Sequence, residues 1–176
     1  MSSLDVAAYN LKGQVFCGAN TAETTISVAT TAQTGLILYN PNGSGKNFLL
    51  VDFCFAFTTV PGAVHNIGLA LVTPSIVVPS STGVTTCSAV LSASGQVATG
   101  TSVARLYSAA TFTPASVAVR WSFGSAYGTA VGVSPACFKD VVDGAIMLAP
   151  GAAVTVVRVT TASLGMASFT WIEVPV

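Results

Sequence analysis

An all-β fold, an antiparallel sandwich of two sheets, is what this sequence predicts, and three observations predict it. Short apolar runs with period-two alternation recur along the 176 residues between Gly, Pro and Asn punctuation, and about eight or nine such runs in a chain of this size point to a sandwich or barrel. Helix start and stop signals come together once. Charge is scarce: six basic and six acidic residues, none of them within 53–104.

Residues 1–24 carry little pattern and are expected to form an N-terminal arm that docks on a neighbouring subunit, ahead of a single β-sandwich domain over 25–176. Strands are expected at 26–30 and 36–39. Asn40, Pro41, Asn42 and Gly43 then supply the turn chemistry of a hairpin loop. The strongest strand is FLLVDFCFAFT, 48–58, with Leu49, Val51, Phe53, Phe55 and Phe57 on one face and Leu50, Asp52, Cys54, Ala56 and Thr58 on the other. After a strand at 67–72 the character changes over 73–113, where Pro74, Pro79, Gly83, Gly95 and Gly100 sit among Ser, Thr and Ala. That section is expected to hold exposed loops, one added hairpin and a strand at 85–91.

The run SVAVRWSF, 116–123, sets Val117, Val119, Trp121 and Phe123 against Ser116, Ala118, Arg120 and Ser122, the pattern of a half-buried strand. The single helix signal lies at 134–144, with Ser134 as N-cap, Pro135 at the first helical position and Gly144 just past the end. One or two turns of helix are expected there. The segment gathers Lys139, Asp140 and Asp143, a quarter of all the charge, so it is expected to be the most water-exposed part of the chain. Strands at 145–148, 154–160 and 168–174 complete the pattern. Gly35 to Pro41 and Gly144 to Pro150 repeat a Gly, an apolar strand and a Pro at identical offsets. Each reads as a strand running into a tight corner, as in Greek-key and jelly-roll topologies.

An average soluble domain is about 25% charged; this chain is 7% charged. A monomer of its mass exposes about 8,000 Å², so with every charge outside there is one per roughly 660 Å². Net charge is zero and the pI is ≈ 6.5, a condition that favours association. A Ser/Thr-rich extracellular β domain hydrated through hydroxyls is one reading. An obligate oligomer or a part of a larger assembly is the other, favoured because interface cores are depleted in charge. Subunits are expected to meet at the uncharged stretch 53–104.

Although 52% of residues are hydrophobic and the mean hydropathy is +0.73, the stretches 48–57, 63–79 and 145–159 are short, or broken by Pro, Gly, His or hydroxyls, before the roughly 20 residues of a membrane helix. They read as strands. The start MSSLDVAAYNLKG lacks the basic residues and continuous apolar core of a secretory signal, and the aromatic girdles of an outer-membrane barrel are missing. Six scattered basic residues supply no patch for nucleic acid. Cys17, Cys54, Cys87 and Cys137 include no close pair of the kind a structural zinc site uses. Two disulfides in any of three connectivities stay open; reduced, buried cysteines are favoured, with Cys54 and Cys87 inside strand-like runs.

Several motifs invite a chemical reading. Residues 40–47, NPNGSGKN, look like a phosphate-binding loop, but Asn40 stands where the first Gly is needed and Asn47 where the magnesium-binding hydroxyl is needed. His65, the sole histidine, has no clear partner for acid-base work. In Gly124-Ser125-Ala126-Tyr127-Gly128 the serine sits one place too early for a nucleophile elbow. Asp140 and Asp143 read as a solvated turn. Arg158 and Glu173, on neighbouring expected strands, and Arg120 suit cross-strand or intersubunit ion pairs, while Phe169 and Trp171 fill a core or a subunit seam. No catalytic, cofactor-binding or metal residue is assigned, no cofactor is expected, and an enzyme is not the expectation.

The runs GLILYNPNGSGKNFLLVDF (35–53) and GAIMLAPGAAVTVV (144–157) with the ending FTWIEVPV together resemble small jelly-roll structural proteins of tailed bacteriophages, notably capsid decoration or cement proteins. The likeness covers about a third of the chain and describes strand, corner and strand. It implies a jelly-roll-like antiparallel sandwich, a homotrimer on the outer surface of a virion capsid, and the major capsid protein as partner, with neither nucleic acid nor membrane bound. A receptor-binding head of a phage tail fibre and a carbohydrate-binding lectin module are the alternatives.

Overall fold

The computed structural model describes residues 3–26, 33–59, 65–72, 84–86, 102–112, 117–126, 137–158 and 163–176. These form one helix, α1 (Ser3–Leu11), and the strands β1 (Val15–Ala19), β2 (Thr24–Ile26), β3 (Gln33–Tyr39), β4 (Lys46–Phe57), β5 (His65–Val72), β6 (Val84–Thr86), β7 (Arg105–Phe112), β8 (Val117–Ala126), β9 (Cys137–Leu148), β10 (Ala153–Arg158) and β11 (Ser163–Pro175). Two antiparallel sheets result. In sheet A, β1 and β2 lie end to end along one edge of β11, followed by β4 and β9; sheet B has the order β6-β7-β3-β10-β5-β8. The expected all-β sandwich is the fold.

Between the sheets lies one apolar core. Phe16, Phe48, Leu50, Phe53, Phe55, Phe57, Phe169 and Trp171 of sheet A meet Leu36, Leu38, Ile67, Leu69, Leu106, Val154 and Val156 of sheet B, each large side chain contributing about 1.5–3 kcal/mol by burial. Aromatic rings order the middle: Phe55 and Phe57 are T-shaped at 4.9 Å, and Phe16 stacks on Trp171 at 6.1 Å.

Strict alternation along 48–58 fails at one residue. Trp171 pairs with Leu50 and Thr170 with Asp52, so Val51 is an extra residue, a β-bulge that shifts which side chains face inward. Phe48 and Leu50 are buried before it and Val51, Phe53, Phe55 and Phe57 after it. Leu49, expected in the core, is half-exposed, and Leu50, expected on the other face, is fully buried.

The helix expected at 134–144 is corrected to a strand over its described part. β9 runs from Cys137 to Leu148, paired with β4 along Ala56↔Cys137 to Phe48↔Leu148. The capping signals were local, and pairing with an apolar twelve-residue neighbour outweighed them. Asp143 (φ 53) and Gly144 (φ 76) adopt left-handed conformations inside this strand, where the register jumps from Leu50↔Ile146 to Asp52↔Val141. The glycine read as a helix stop is thus the kink of a large strand irregularity.

Residues 40–47 are a corner and not the expected hairpin, because β3 belongs to sheet B and β4 to sheet A. Gly43 (φ 75) and Gly45 (φ 66) turn the chain, and Asn40, fully buried, clamps it to the second corner at 149–152. Its side-chain Nδ2 donates to Leu148 O and Lys46 O, each at 2.8 Å. Its backbone N–H donates to Ala152 O, and its own carbonyl accepts from Gly151 N at 2.7 Å. The two similar sequence segments therefore meet in space. Replacing Asn40 by Ala removes both side-chain bonds, with Lys46 O keeping only the Ser44 hydroxyl at 3.2 Å, and is expected to lower stability by about 2 kcal/mol, read as a shift of the urea midpoint at constant slope; a change under about 0.5 kcal/mol would show the clamp to be dispensable.

Within residues 1–24, α1 and β1 are described, and β1 pairs with β11 inside sheet A; sequence signals pointed to neither. In 73–113, β6 and β7 pair with each other; residues 87–101 between them, on which the expected hairpin depends, lie outside the described residues. The strands expected at 26–30 and 85–91 are described only as β2 and β6, their remainders lying outside the described residues.

The two sheets differ on their outer sides. All six residues of β10 are buried, and Ile37, Tyr39, Tyr107 and Ala153 form a second buried cluster on the side of sheet B away from the main core, with Tyr39 and Tyr107 tilted at 6.5 Å. Among its described side chains, sheet B is closed on both faces at β3, β7 and β10. Sheet A is open over part of its outer face, Ile172 on that side of β11 being fully buried.

Candidate interaction face

Period-two alternation beyond the Val51 bulge turns Asp52, Cys54 and Ala56 of β4 outward, and β1, β11 and β9 align matching side chains beside them. One row across the sheet is Cys17, Thr170, Asp52 and Val141. The next is Ala19, Ser168, Cys54 and Lys139. Met166 and Ala56 follow in a third, and Leu49 pairs with Met147 on the far side of the bulge. Val141 is 53% and Met147 54% exposed, unusual values for large apolar side chains on a sheet. A concavity of about 340 Å³ opens among Ala19, Cys54, Ala56, Phe138, Lys139 and Met166. The charges in these rows are Asp52 and Lys139, paired at 3.3 Å and partly exposed, a contact worth about 0.2–1 kcal/mol in water. The face is apolar, built of short side chains, and neutral.

Two of its residues are thiols. Cys17 is exposed and Cys54 half-buried, and both are free; the expected reduced state holds for this pair, the expected burial does not hold for Cys17. Cys87 and the side chain of Cys137 lie outside the described residues. Removal of water by the surrounding strands, then the negative charge of Asp52, raise the Cys17 pKa, because both disfavour the thiolate. Cys17 is therefore expected to alkylate slowly at neutral pH, its rate climbing on the alkaline side of the ordinary thiol range, and Asp52→Asn to move that climb to lower pH. Residue-resolved mass spectrometry of labelling checks this, and a profile unmoved by Asp52→Asn would remove Asp52 as a cause.

Arg158 and Glu173 do not pair across neighbouring strands as expected. They lie in different sheets and are 0% and 1% exposed. The alternation that buries Phe169 and Trp171 carries Glu173 to the same side, where its carboxylate becomes a hub. Lys46 Nζ donates to Oε2 at 2.9 Å, the Ser102 hydroxyl and Trp171 Nε1 donate to Oε1, and Val103 N reaches Oε2 at 3.4 Å. Arg158 Nε donates to Ile26 O at 3.0 Å, and burial pushes its pKa down to about 10, so it stays charged at neutral pH. Both residues hold the sandwich together.

The other residues that the sequence singled out do not converge. His65 begins β5, opposite Ala126 of β8; Gly124, Ser125 and Ala126 end β8, while Tyr127 and Gly128 lie outside the described residues. Asp143 is exposed and Asp140 half-exposed on β9, and Lys139 is exposed beside Asp52. Among the described residues no group of three His, Cys, Asp or Glu could hold a metal ion, and no helix is long and apolar enough to cross a membrane. Of the stretch 53–104, expected as the contact region, Cys54 and Ala56 belong to the open face, and much of the rest lies outside the described residues. Sequence reasoning missed Cys17, Ala19, Val141, Met147 and Met166. The outward set Asp52, Cys54 and Ala56 was the available signal, being small, nearly uncharged and on the strongest strand.

Comparison with protein-family models, with curated proteins and with solved structures finds no match to this chain.

Proposed function

We propose that this protein is a non-enzymatic structural component of a virion, a capsid decoration protein built on a jelly roll that ties major capsid subunits together by protein–protein contact. The observation that carries the reading is the open, neutral, apolar face of sheet A, since a surface of this kind is stable in water chiefly when another protein covers it. Strand order supports the jelly roll. Taking β1 and β2 as one position and leaving out β6 and β7, the eight strands run 1-8-3-6 in sheet A and 2-7-4-5 in sheet B, the nested pairing of two Greek keys that capsid and lectin domains share. The sequence resemblance supplies the capsid and the three-fold assembly; multivalency on a symmetric lattice lets individually weak contacts hold.

Quantitative mass spectrometry and surface labelling of purified particles test the proposal, together with co-sedimentation of the purified protein with expanded capsids that lack it. Many copies distributed over the shell and saturable capsid binding are the expected results. A few copies confined to the tail would replace the reading with a tail-fibre head, and glycan binding without capsid binding would replace it with a lectin.

A further inference from the structure

Resting on the reading of the sheet A face as a protein contact, we propose that its occupant is a second copy of this chain, packed face to face about a two-fold axis. Charge selects that partner. The rows of this face carry one cation and one anion side by side, Lys139 and Asp52 at 3.3 Å. A two-fold axis that lies in the interface between the two side chains and runs across the line joining them lays Lys139 of one copy near Asp52 of the other and the reverse, as residue i meets j and j meets i in an isologous contact. The face thus meets its own copy with no like charges opposed, whereas a partner surface of a single sign would repel one member of the pair.

Size agrees. The twelve positions named in the four rows, at about 33 Å² each for ordinary strand spacings, cover about 400 Å² for each copy. Together the two copies bury about 800 Å², the small size of a weak, reversible contact. Ala19, Cys54, Ala56 and Ser168 have little side-chain freedom to lose on contact, and Val141 and Met147, each more than half exposed, gain burial. The described outer side of sheet B at β3, β7 and β10 is already buried, in the cluster of Ile37, Tyr39, Tyr107 and Ala153. Contact through the sheet faces takes this face out of direct capsid contact and leaves the flanks of the sandwich for both the capsid and the three-fold assembly that the resemblance implies.

Sedimentation velocity of the purified full chain over a wide concentration range, without capsids, reads the contact. The wild type is expected to show reversible, concentration-dependent doubling of mass. Lys139→Glu makes every charge of these rows negative and Asp52→Lys makes every one positive, so each is expected to weaken doubling roughly tenfold or more. An equimolar mixture of the two variants is expected to restore it, a recovery that misfolded protein cannot give. An unchanged mass at all concentrations, doubling insensitive to Lys139→Glu, or no recovery on mixing overturns the proposal. Capsid co-sedimentation on the same proteins separates the two readings: a chain that binds capsids but never doubles overturns the two-fold contact alone, and one that doubles as described but never binds capsids overturns the decoration role alone.

Discussion

Replacing Glu173 by Ala is expected to lower stability by about 3–5 kcal/mol, the range seen when one member of a buried, hydrogen-bonded charge network is removed. The carboxylate is the shared acceptor for Lys46, Ser102, Val103 N and Trp171 Nε1. Without it, three donors in the interior keep no partner, at about 1–3 kcal/mol for each group fully stranded, while Lys46, whose side chain is 34% exposed, can turn toward water. For a chain of this length the loss corresponds to roughly 10 °C in Tm. Glu173→Gln keeps the shape and one acceptor oxygen, so it should cost less than Glu173→Ala. Urea unfolding followed by tryptophan fluorescence reads both, since Trp171 belongs to the network. Equal midpoints for wild type and Glu173→Ala would mean that the hub contributes nothing to stability.

Gly165→Ala is expected to destabilise by about 2–3 kcal/mol through overpacking, against the intrinsic preference of a strand. Gly165 sits in β11 opposite Phe57 of β4 and Thr24 of β2, and it has no positive φ, so propensity taken alone favours Ala by about 0.5–1 kcal/mol. Space decides otherwise. An added Cβ would lie 2.8 Å from the Ala56 carbonyl oxygen and inside the contact distance of the Phe55 ring. That ring is 1% exposed and held T-shaped against Phe57, so it has nowhere to retreat. Gly43 is the useful contrast: its φ is +75° with nothing near a Cβ, so Gly43→Ala should cost only backbone strain of about 1–2 kcal/mol. A Gly165→Ala protein as stable as wild type would show that β11 can shift away from β4, and the tight approach would lose its meaning.

These two positions mark where reading the chain residue by residue succeeds and where it stops. Leu36 and Leu38, Val154 and Val156, and Phe169 and Trp171 all lie on the core side as alternation implies. Alternation also carried Glu173 inward beside Trp171, yet acidic residues are so seldom buried alone that an exposed pair was the natural expectation. Its donors explain the outcome: Lys46 is 127 and Ser102 71 positions away in sequence, and no local window contains them. The helix expected at 134–144 failed for the same reason. Ser134, Pro135 and Gly144 satisfy local capping rules, but β4 offers five paired residues to this segment, Cys137 to Val141, and burial of Phe138 and Val142 against the core depends on that pairing.

The candidate face was half legible. Outward Asp52, Cys54 and Ala56 could be read from β4 itself; their neighbours Cys17, Ala19, Val141 and Met166 come from strands that a sequence places far apart and that hydrogen bonding sets about 4.8 Å from one another. Composition shows a surface poor in charge, and the burial of Arg158 and Glu173 leaves it poorer still.

Period-two alternation, turn residues and charge scarcity are properties of neighbouring residues and of totals, so the chain order alone pointed to a two-sheet sandwich, the inward side of most strands, and a surface poor in charge. Which strands pair, where Val51 and the Asp143–Gly144 kink break the alternation, which carboxylate is buried, and which sheet stays open depend on contacts between distant segments. Packing settled those, because the free energy of closing a core outweighs the small local preferences that a sequence displays.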